Sequence, residues 1–244
     1  MTAPRISLVI PAYNESALLP RLLDSVDAAR GRFCDGAGCI EVIVADNAST
    51  DSTAEIAMQR GCRVAMVEKR AIAAARNGGA AVARGDYLAF IDADSRIHPE
   101  TFNAIHKTLT ASRVVVGATG VVPERWSVGI FLTWAIMTPL VWLMRMDAGV
   151  VFCRRADFET VGGYDETLLY AEDVKFLHEM KRWGKAHGKG FARPAGVKAI
   201  TSARKFDKHG DWHFLIEMPL AGWRVLYNKE HGKAFARKYW YDDR

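Results

Sequence analysis

From Ile6 onward the hydrophobic positions of the chain alternate between two rhythms. Ile6-Ser7-Leu8-Val9-Ile10 is a short β-branched run ended by Pro11. Behind it, the spacing of Leu18, Leu19, Leu22, Leu23 and Val26 predicts a helix capped by Asn14. Glycine-rich residues 31–38 read as a loop, 41–45 as a second strand, and 53–60 as a helix with Asp51 and Ser52 in its capping turn. A third strand over 63–67, an alanine-rich helix over 72–83 and a fourth strand over 87–91 follow, the last ending at Asp92-Ala93-Asp94. Strand and helix in turn, with short connections, predict the α/β class: a mostly parallel central sheet flanked by helices. Ligands of such sheets bind beyond the carboxyl ends of the strands. The polar clusters at 11–15, 46–51 and 92–96 all lie at such ends.

The pattern loosens after residue 112. Strands are expected over 114–122 and 150–153 and a helix over 172–183, and the remainder is basic and aromatic. No internal repeat, low-complexity tract or linker interrupts the chain. A single domain over 1–244 is expected, in two halves: 1–112 with the regular strand–helix alternation and its ligand-facing strand ends, and 113–244 with the looser pattern and the basic end. The segment Trp126–Met144 needs its own reading, because its nineteen residues carry no charge and hold Pro139 and three tryptophans, Trp126, Trp134 and Trp142. Nineteen apolar residues just span a bilayer, yet a span here would part the two halves of one domain. A re-entrant or interfacial helix, and a helix buried internally or in a homodimer, are the other readings.

Half of the 244 residues are hydrophobic and a quarter charged, which gives a sizeable core and excludes a disordered chain. The net charge of +5 is uneven: residues 181–244 hold 15 Lys and Arg against 6 Asp and Glu, and residues 1–180 hold 18 against 22. A basic quarter suits nucleic acid, an anionic membrane surface or a phosphate-bearing substrate. No nucleic-acid module is recognisable in it, so no nucleic-acid partner is expected. Cys34, Cys39, Cys62 and Cys153 match no zinc or redox spacing and read as reduced thiols of a cytoplasmic protein. The first apolar run is too short for a signal peptide.

Four clusters carry candidate chemistry. Asp92 and Asp94 flank one small residue at a strand end, where two carboxylates share a hard cation with phosphate oxygens; the plain alternative is an Asx-capped turn. Asp46 ends the second strand, placed either to accept hydrogen bonds from a nucleobase or ribose or to cap a turn. Arg76 offers a planar fork to phosphate or base oxygens, or is a solvated helix arginine. Glu172-Asp173 opens a helix, either as a cap favoured by the helix dipole or as a general base facing an acceptor hydroxyl. Arg204-Lys205 and His209 form a basic segment that is either solvated or a lid over a diphosphate, with His209 able to complete a metal shell.

Taken in order, SLVIPAYNES, ADNASTD, ARNGGAAVARGDYLAFIDADS and VGGYDETLLYAEDVKF, from about Ile6 to Trp183, strongly resemble the family-2 glycosyltransferases of the GT-A fold. The resemblance implies a nucleotide-sugar pocket lined by Pro11, Ala12, Tyr13 and Glu15, with Asp46 on the base and Arg76 near base or phosphates. It makes Asp92-Ala93-Asp94 the DxD motif, with Asp94 the metal ligand, Asp92 nearer the ribose, and manganese or magnesium as cofactor. It puts Gly162, Gly163 and Tyr164 on the acceptor side and gives Asp173 the role of base, Glu172 beside it. The implied activity is inverting, hexosyltransferase-type transfer from a nucleoside-diphosphate sugar to a sugar or lipid-linked acceptor. The Gln-x-x-Arg-Trp motif of processive synthases is absent, so non-processive transfer is expected. The family's commoner DDGSTD stands here as Asp46-Asn47-Ala48-Ser49-Thr50-Asp51. Three alternatives stay open: a polyprenyl-phosphate acceptor served from a peripheral position on the inner face of the membrane, a non-catalytic nucleotide-sugar-binding module, and a nucleotidyltransferase.

Overall fold

A computed structural model describes residues 3–111, 113–144, 148–168 and 171–215. The elements run β1 (Ile6–Ala12), α1 (Leu19–Gly31), β2 (Ile40–Asp46), α2 (Thr53–Gln59), β3 (Arg63–Met66), α3 (Ile72–Ala81), β4 (Tyr87–Phe90), β5 (Ser95–Arg96) and α4 (Thr101–Thr110). They continue with β6 (Val114–Ala118), β7 (Val121–Pro123), α5 (Val128–Met144), β8 (Val151–Arg154), α6 (Arg155–Val161), α7 (Glu172–Ala186), β9 (Gly190–Ala192), β10 (Ala199–Thr201) and α8 (Arg204–His209).

The chain divides into two compact units, Met1–Val122 with Asp147–Ile200, and Pro123–Met146 with Thr201–Arg244. β8, α6 and α7 lie in the first unit together with β1 to β4. In the first unit, seven strands form one sheet in the order β3-β2-β1-β4-β8-β6-β9. β1 pairs in parallel with β2 and β4, β2 with β3, and β6 with β9. β8 runs antiparallel between β4 and β6. The α/β class with a mostly parallel sheet is therefore observed. β5, β10 and β7 make a separate three-stranded sheet.

Buried apolar residues lie in two clusters. α1 and α4 contribute Leu19, Leu22, Leu23, Val26, Phe102, Ile105 and Leu109 to one; Phe158, Tyr164, Phe176 and Met180 from α6, α7 and their connection join the other. α3 lies unusually close to the sheet. A Cβ on Gly79 would come 2.4 Å from Val9 Cγ1 and 3.2 Å from Ala45 Cβ, so only glycine fits there.

Several boundaries differ from the pattern, each for a local reason. β1 continues through Pro11, paired with Ala45, because its pairing with β4 stops at Val9 and an imino acid is tolerated on a strand edge. Asn14 does not cap α1, whose N-cap is Leu18 with Pro20 in the first turn. It sits instead at φ 52°, and its side-chain oxygen accepts the Thr50 N–H at 2.8 Å. Ser52 is the N-cap of α2 but makes no side-chain cap bond, and Asp51 accepts the Thr53 N–H at 3.0 Å. The expected strand over 114–122 is two strands, broken at Thr119-Gly120 where Gly120 takes φ 73°. The four cysteines are free thiols. Among the described residues no helix is long and apolar enough to cross a membrane. In the second unit, Arg125 joins the start of α5 to the chain around α8 through Asp207 at 2.6 Å and Asp211 at 2.7 Å.

Candidate functional site

The ends of β1, β2 and β4 carry the first group of predicted residues. Pro11 and Ala12 are buried at the end of β1, and the Ala12 carbonyl accepts the Asn47 N–H at 2.8 Å. Tyr13 follows with the Arg70 guanidinium 4.9 Å from its ring centroid, and Glu15 is buried, its N–H donating to Thr53 Oγ1 at 2.9 Å. Asp46 is the last residue of β2 and only 1% exposed. Its Oδ2 accepts the Ser49 N–H at 3.3 Å, while Oδ1 is buried with no hydrogen-bond partner. Such a buried acceptor can still take one donor, from a water or from a ligand. Asn47, where the commoner motif has a second aspartate, donates its amide to the carbonyls of Val67 (3.0 Å) and Lys69 (2.6 Å). An ionised carboxylate has no proton for either bond.

Asp92-Ala93-Asp94 forms the turn after β4, closed by the Ser95 N–H on the Asp92 carbonyl at 3.1 Å. Ala93 is buried, Asp94 is half-buried, and the Asp92 carboxylate is about half exposed, 52%. Behind Asp92 lies Arg76, which is buried rather than solvated. Its Nη2 donates to Asp92 Oδ1 at 3.0 Å and its Nη1 to Glu172 Oε1 at 2.6 Å. The guanidinium carbon stands 5.1 Å from the Tyr164 ring centroid. Burial works against the charge on Arg76, but Asp92, Tyr164 and Glu172 outweigh it and raise the group further, so it stays protonated. Burial pushes Glu172 above the ordinary carboxylate value, and the Arg76 charge draws it back.

One ion-paired arginine thus joins the aspartate turn to the first residue of α7, 96 positions apart in sequence from α3. Asp173, the next residue, is partly exposed, and its Oδ1 accepts the Val174 N–H at 2.8 Å, an N-terminal bond of α7. Ala171, ahead of it, takes φ 57°. With Asn14 at 52° and Ala48 at 60°, it makes three non-glycine residues in the left-handed region among the described residues, all in loops at this site.

Gly162 (φ 84°) ends α6, and Gly163 (φ 72°) turns the chain so that a Cβ there would fall 2.7 Å from Asn77 Oδ1. Asn77 clamps the next residue twice: its amide donates to the Tyr164 carbonyl at 2.8 Å, and its oxygen accepts the Tyr164 N–H at 2.9 Å. Sequence reasoning passed over Asn77, though its place beside Arg76 in ARNGG was a usable signal. Tyr164 stacks on Phe176 of α7, centroids 4.3 Å apart. Asp165 is bound by Lys175 and Thr167, which hold it well below the usual carboxylate range. Arg204 and His209 lie on α8 in the second unit.

Asp92 and Asp94 supply two hard carboxylate donors, and no group of three potential metal ligands occurs among the described residues. Magnesium and manganese want about six ligands. The pair therefore fits a cation whose remaining ligands are substrate oxygens and water.

The mostly parallel sheet with β8 antiparallel within it, and the solved structures it superposes on, give the GT-A fold. Residues 7–138 match the family model for glycosyl transferase family 2, and the chain belongs to that family. Over 123 residues it is 32% identical to validoxylamine A glucosyltransferase of Streptomyces hygroscopicus subsp. jinggangensis, covering 47% of this chain and 28% of the relative. Over 121 residues it is 35% identical to undecaprenyl-phosphate 4-deoxy-4-formamido-L-arabinose transferase of Pseudomonas paraeruginosa, covering 46% of this chain and 34% of the relative. The chain thus spans about a third of these curated relatives or less. Among solved structures, the mannosyltransferase PcManGT of Pyrobaculum calidifontis, in complex with GDP-Man and Mn2+, superposes with a TM-score of 0.62. That match has 22% identity and covers 82% of this chain and 57% of that one, a shared fold.

Proposed function

We propose that the first unit binds a nucleoside-diphosphate sugar with a divalent cation and transfers the sugar, with inversion, to an acceptor hydroxyl, Asp173 acting as general base. The observation that carries this reading is the Arg76 brace, which couples the turn bearing Asp92 and Asp94 to the helix start bearing Asp173. A donor site and a base on unconnected elements would need no such link.

In this reading Asp46 Oδ1 accepts a donor group of the base or ribose, and Tyr13 and Glu15 border the same end of β1. Asp94 and Asp92 hold manganese or magnesium, which when bound neutralises charge on the departing diphosphate. Asp173 takes the proton of the acceptor hydroxyl as its oxygen bonds to the anomeric carbon. The bond from that carbon to the diphosphate oxygen breaks on the opposite face, and its electron pair leaves with the nucleoside diphosphate. Glu172 touches no reacting atom: through Arg76 it is a positioning residue for both loops. Tyr164, held by Asn77 and stacked on α7, shapes the acceptor side.

Asp173→Asn keeps size and hydrogen bonding but loses basicity. Turnover should fall by about 10²–10⁴-fold, the usual worth of a positioned base, with nucleotide affinity unchanged. Transfer rate and nucleotide affinity measured on the same preparation test this. Near-normal turnover in the variant would remove Asp173 from the role.

A further inference from the structure

The chain leaves the large sheet after β6 and returns to it at β8, and the two ends of the excursion are bonded to each other. The Thr119 N–H donates to the Val150 carbonyl at 3.1 Å, and the Val150 N–H to Thr119 Oγ1 at 3.0 Å. A single crossing of a bilayer between them would put bonded neighbours on opposite sides. The excursion therefore stays on one side of any membrane it meets.

Its main element is α5, 17 residues without a charge. Gly129, Ile130 and Thr133 near its start are buried, and from Trp134 to Met144 no residue is. Ile136, Met137, Leu140 and Leu143 are 60%, 45%, 50% and 74% exposed. At about 100° per residue those four spread over roughly 120° of the helix, and Phe131, 60% exposed, widens the arc. A protein helix packed on one neighbour shows an apolar stripe with a polar back. α5 has no polar back, since its only hydroxyls are Thr133 and Thr138. Apolar surface on all sides of an exposed helix is what an apolar solvent, and not one docking partner, satisfies.

Three more features name that solvent. Trp126 packs near Phe131 (6.4 Å) and Trp134 (6.2 Å) at the start of the helix, and indole rings favour the headgroup level of a bilayer. In sequence, Arg125 and Arg145 bracket the segment, so both ends belong in the polar layer and neither points inward. The segments of this unit hold 11 Lys and Arg against 7 Asp and Glu, a charge that complements anionic headgroups.

We propose that α5 docks the protein on an anionic membrane, its exposed apolar sides sunk among the acyl chains and both its ends held at the headgroups. This surface contact is independent of sugar transfer, so the two proposals fail separately. The test is flotation of the full chain with vesicles of phosphatidylglycerol and phosphatidylcholine in equal parts, and with phosphatidylcholine alone. The protein should float with the mixed vesicles, less with the neutral ones, and less in high salt. Leu140→Glu with Leu143→Glu changes only exposed positions and should lower vesicle binding at least tenfold, with an unchanged circular dichroism melt. Should that variant fail to fold, the lipid and salt series on the unaltered chain decides. Wild-type protein that stays unbound on anionic vesicles overturns the proposal. Light scattering on that sample then separates a dimer, in which a second copy covers α5, from a monomer, in which the chain covers it itself. Equal binding to neutral and anionic vesicles overturns the electrostatic part.

Discussion

Ala48 holds a side chain at φ 60°, where the Cβ crowds the following carbonyl. The commoner family motif has glycine there, and the turn it makes is the one that presents Ser49 to Asp46 and to the Asn14 N–H at 3.0 Å. The strain is thus kept in the loop beside the open Asp46 oxygen. Ala48→Gly should stabilise the fold by about 1 kcal/mol, the cost of one L-residue in this region, read from the urea midpoint at constant slope. No gain would mean that the loop pays nothing for its alanine. Asn47 teaches a related point at the same scale. Its departure from the common aspartate looks like a loss on paper, yet its two amide protons tie β2 to the segment after β3.

At the scale of elements, α3 is the organising piece. Its small residues let it lie against β1 and β2, and its Arg76-Asn77 pair then reaches the aspartate turn, the Gly162-Gly163-Tyr164 loop and the head of α7. Arg76→Lys keeps the charge but replaces a two-pronged fork with one ammonium, which cannot hold Asp92 and Glu172 in the same way. It should cost about 1.5–3 kcal/mol, the range for hydrogen bonds to charged groups, and lower turnover more than nucleotide affinity. Denaturant unfolding with paired kinetics checks it, and wild-type values in both would mean that the brace is dispensable. Much of this level was legible in the sequence. β-branched runs and 3.6-residue spacing gave the first four strands and their helices within a few residues, and Asp92-Ala93-Asp94 fell at a strand end as expected. The brace was not legible, because its partners lie 16 and 96 positions from Arg76 and no local rule pairs them. Asn14 misled for a different reason: the same short amide that caps helices also tolerates the left-handed turn it adopts. The break at Gly120 lies in VVVGATGVV, where Gly117 stays within a strand and Gly120 turns, and no local rule separates the two glycines.

For the whole molecule, the central claim is a nucleoside-diphosphate site built at the ends of β1, β2 and β4, with the open Asp46 oxygen for the nucleoside and the Asp92–Asp94 pair for a cation shared with the diphosphate. The direct measurement is calorimetric titration of the chain with UDP and with GDP, each with and without manganese, in the unaltered protein, Asp94→Ala and Asp46→Ala. One of the two nucleotides should bind at least tenfold more tightly with manganese, and Asp94→Ala should lose that gain. Asp46→Ala should weaken binding by about 1.5–3 kcal/mol with or without the metal, since the bond it removes is to the nucleoside. Neither nucleotide binding, or a manganese gain that survives intact in Asp94→Ala, would contradict the account.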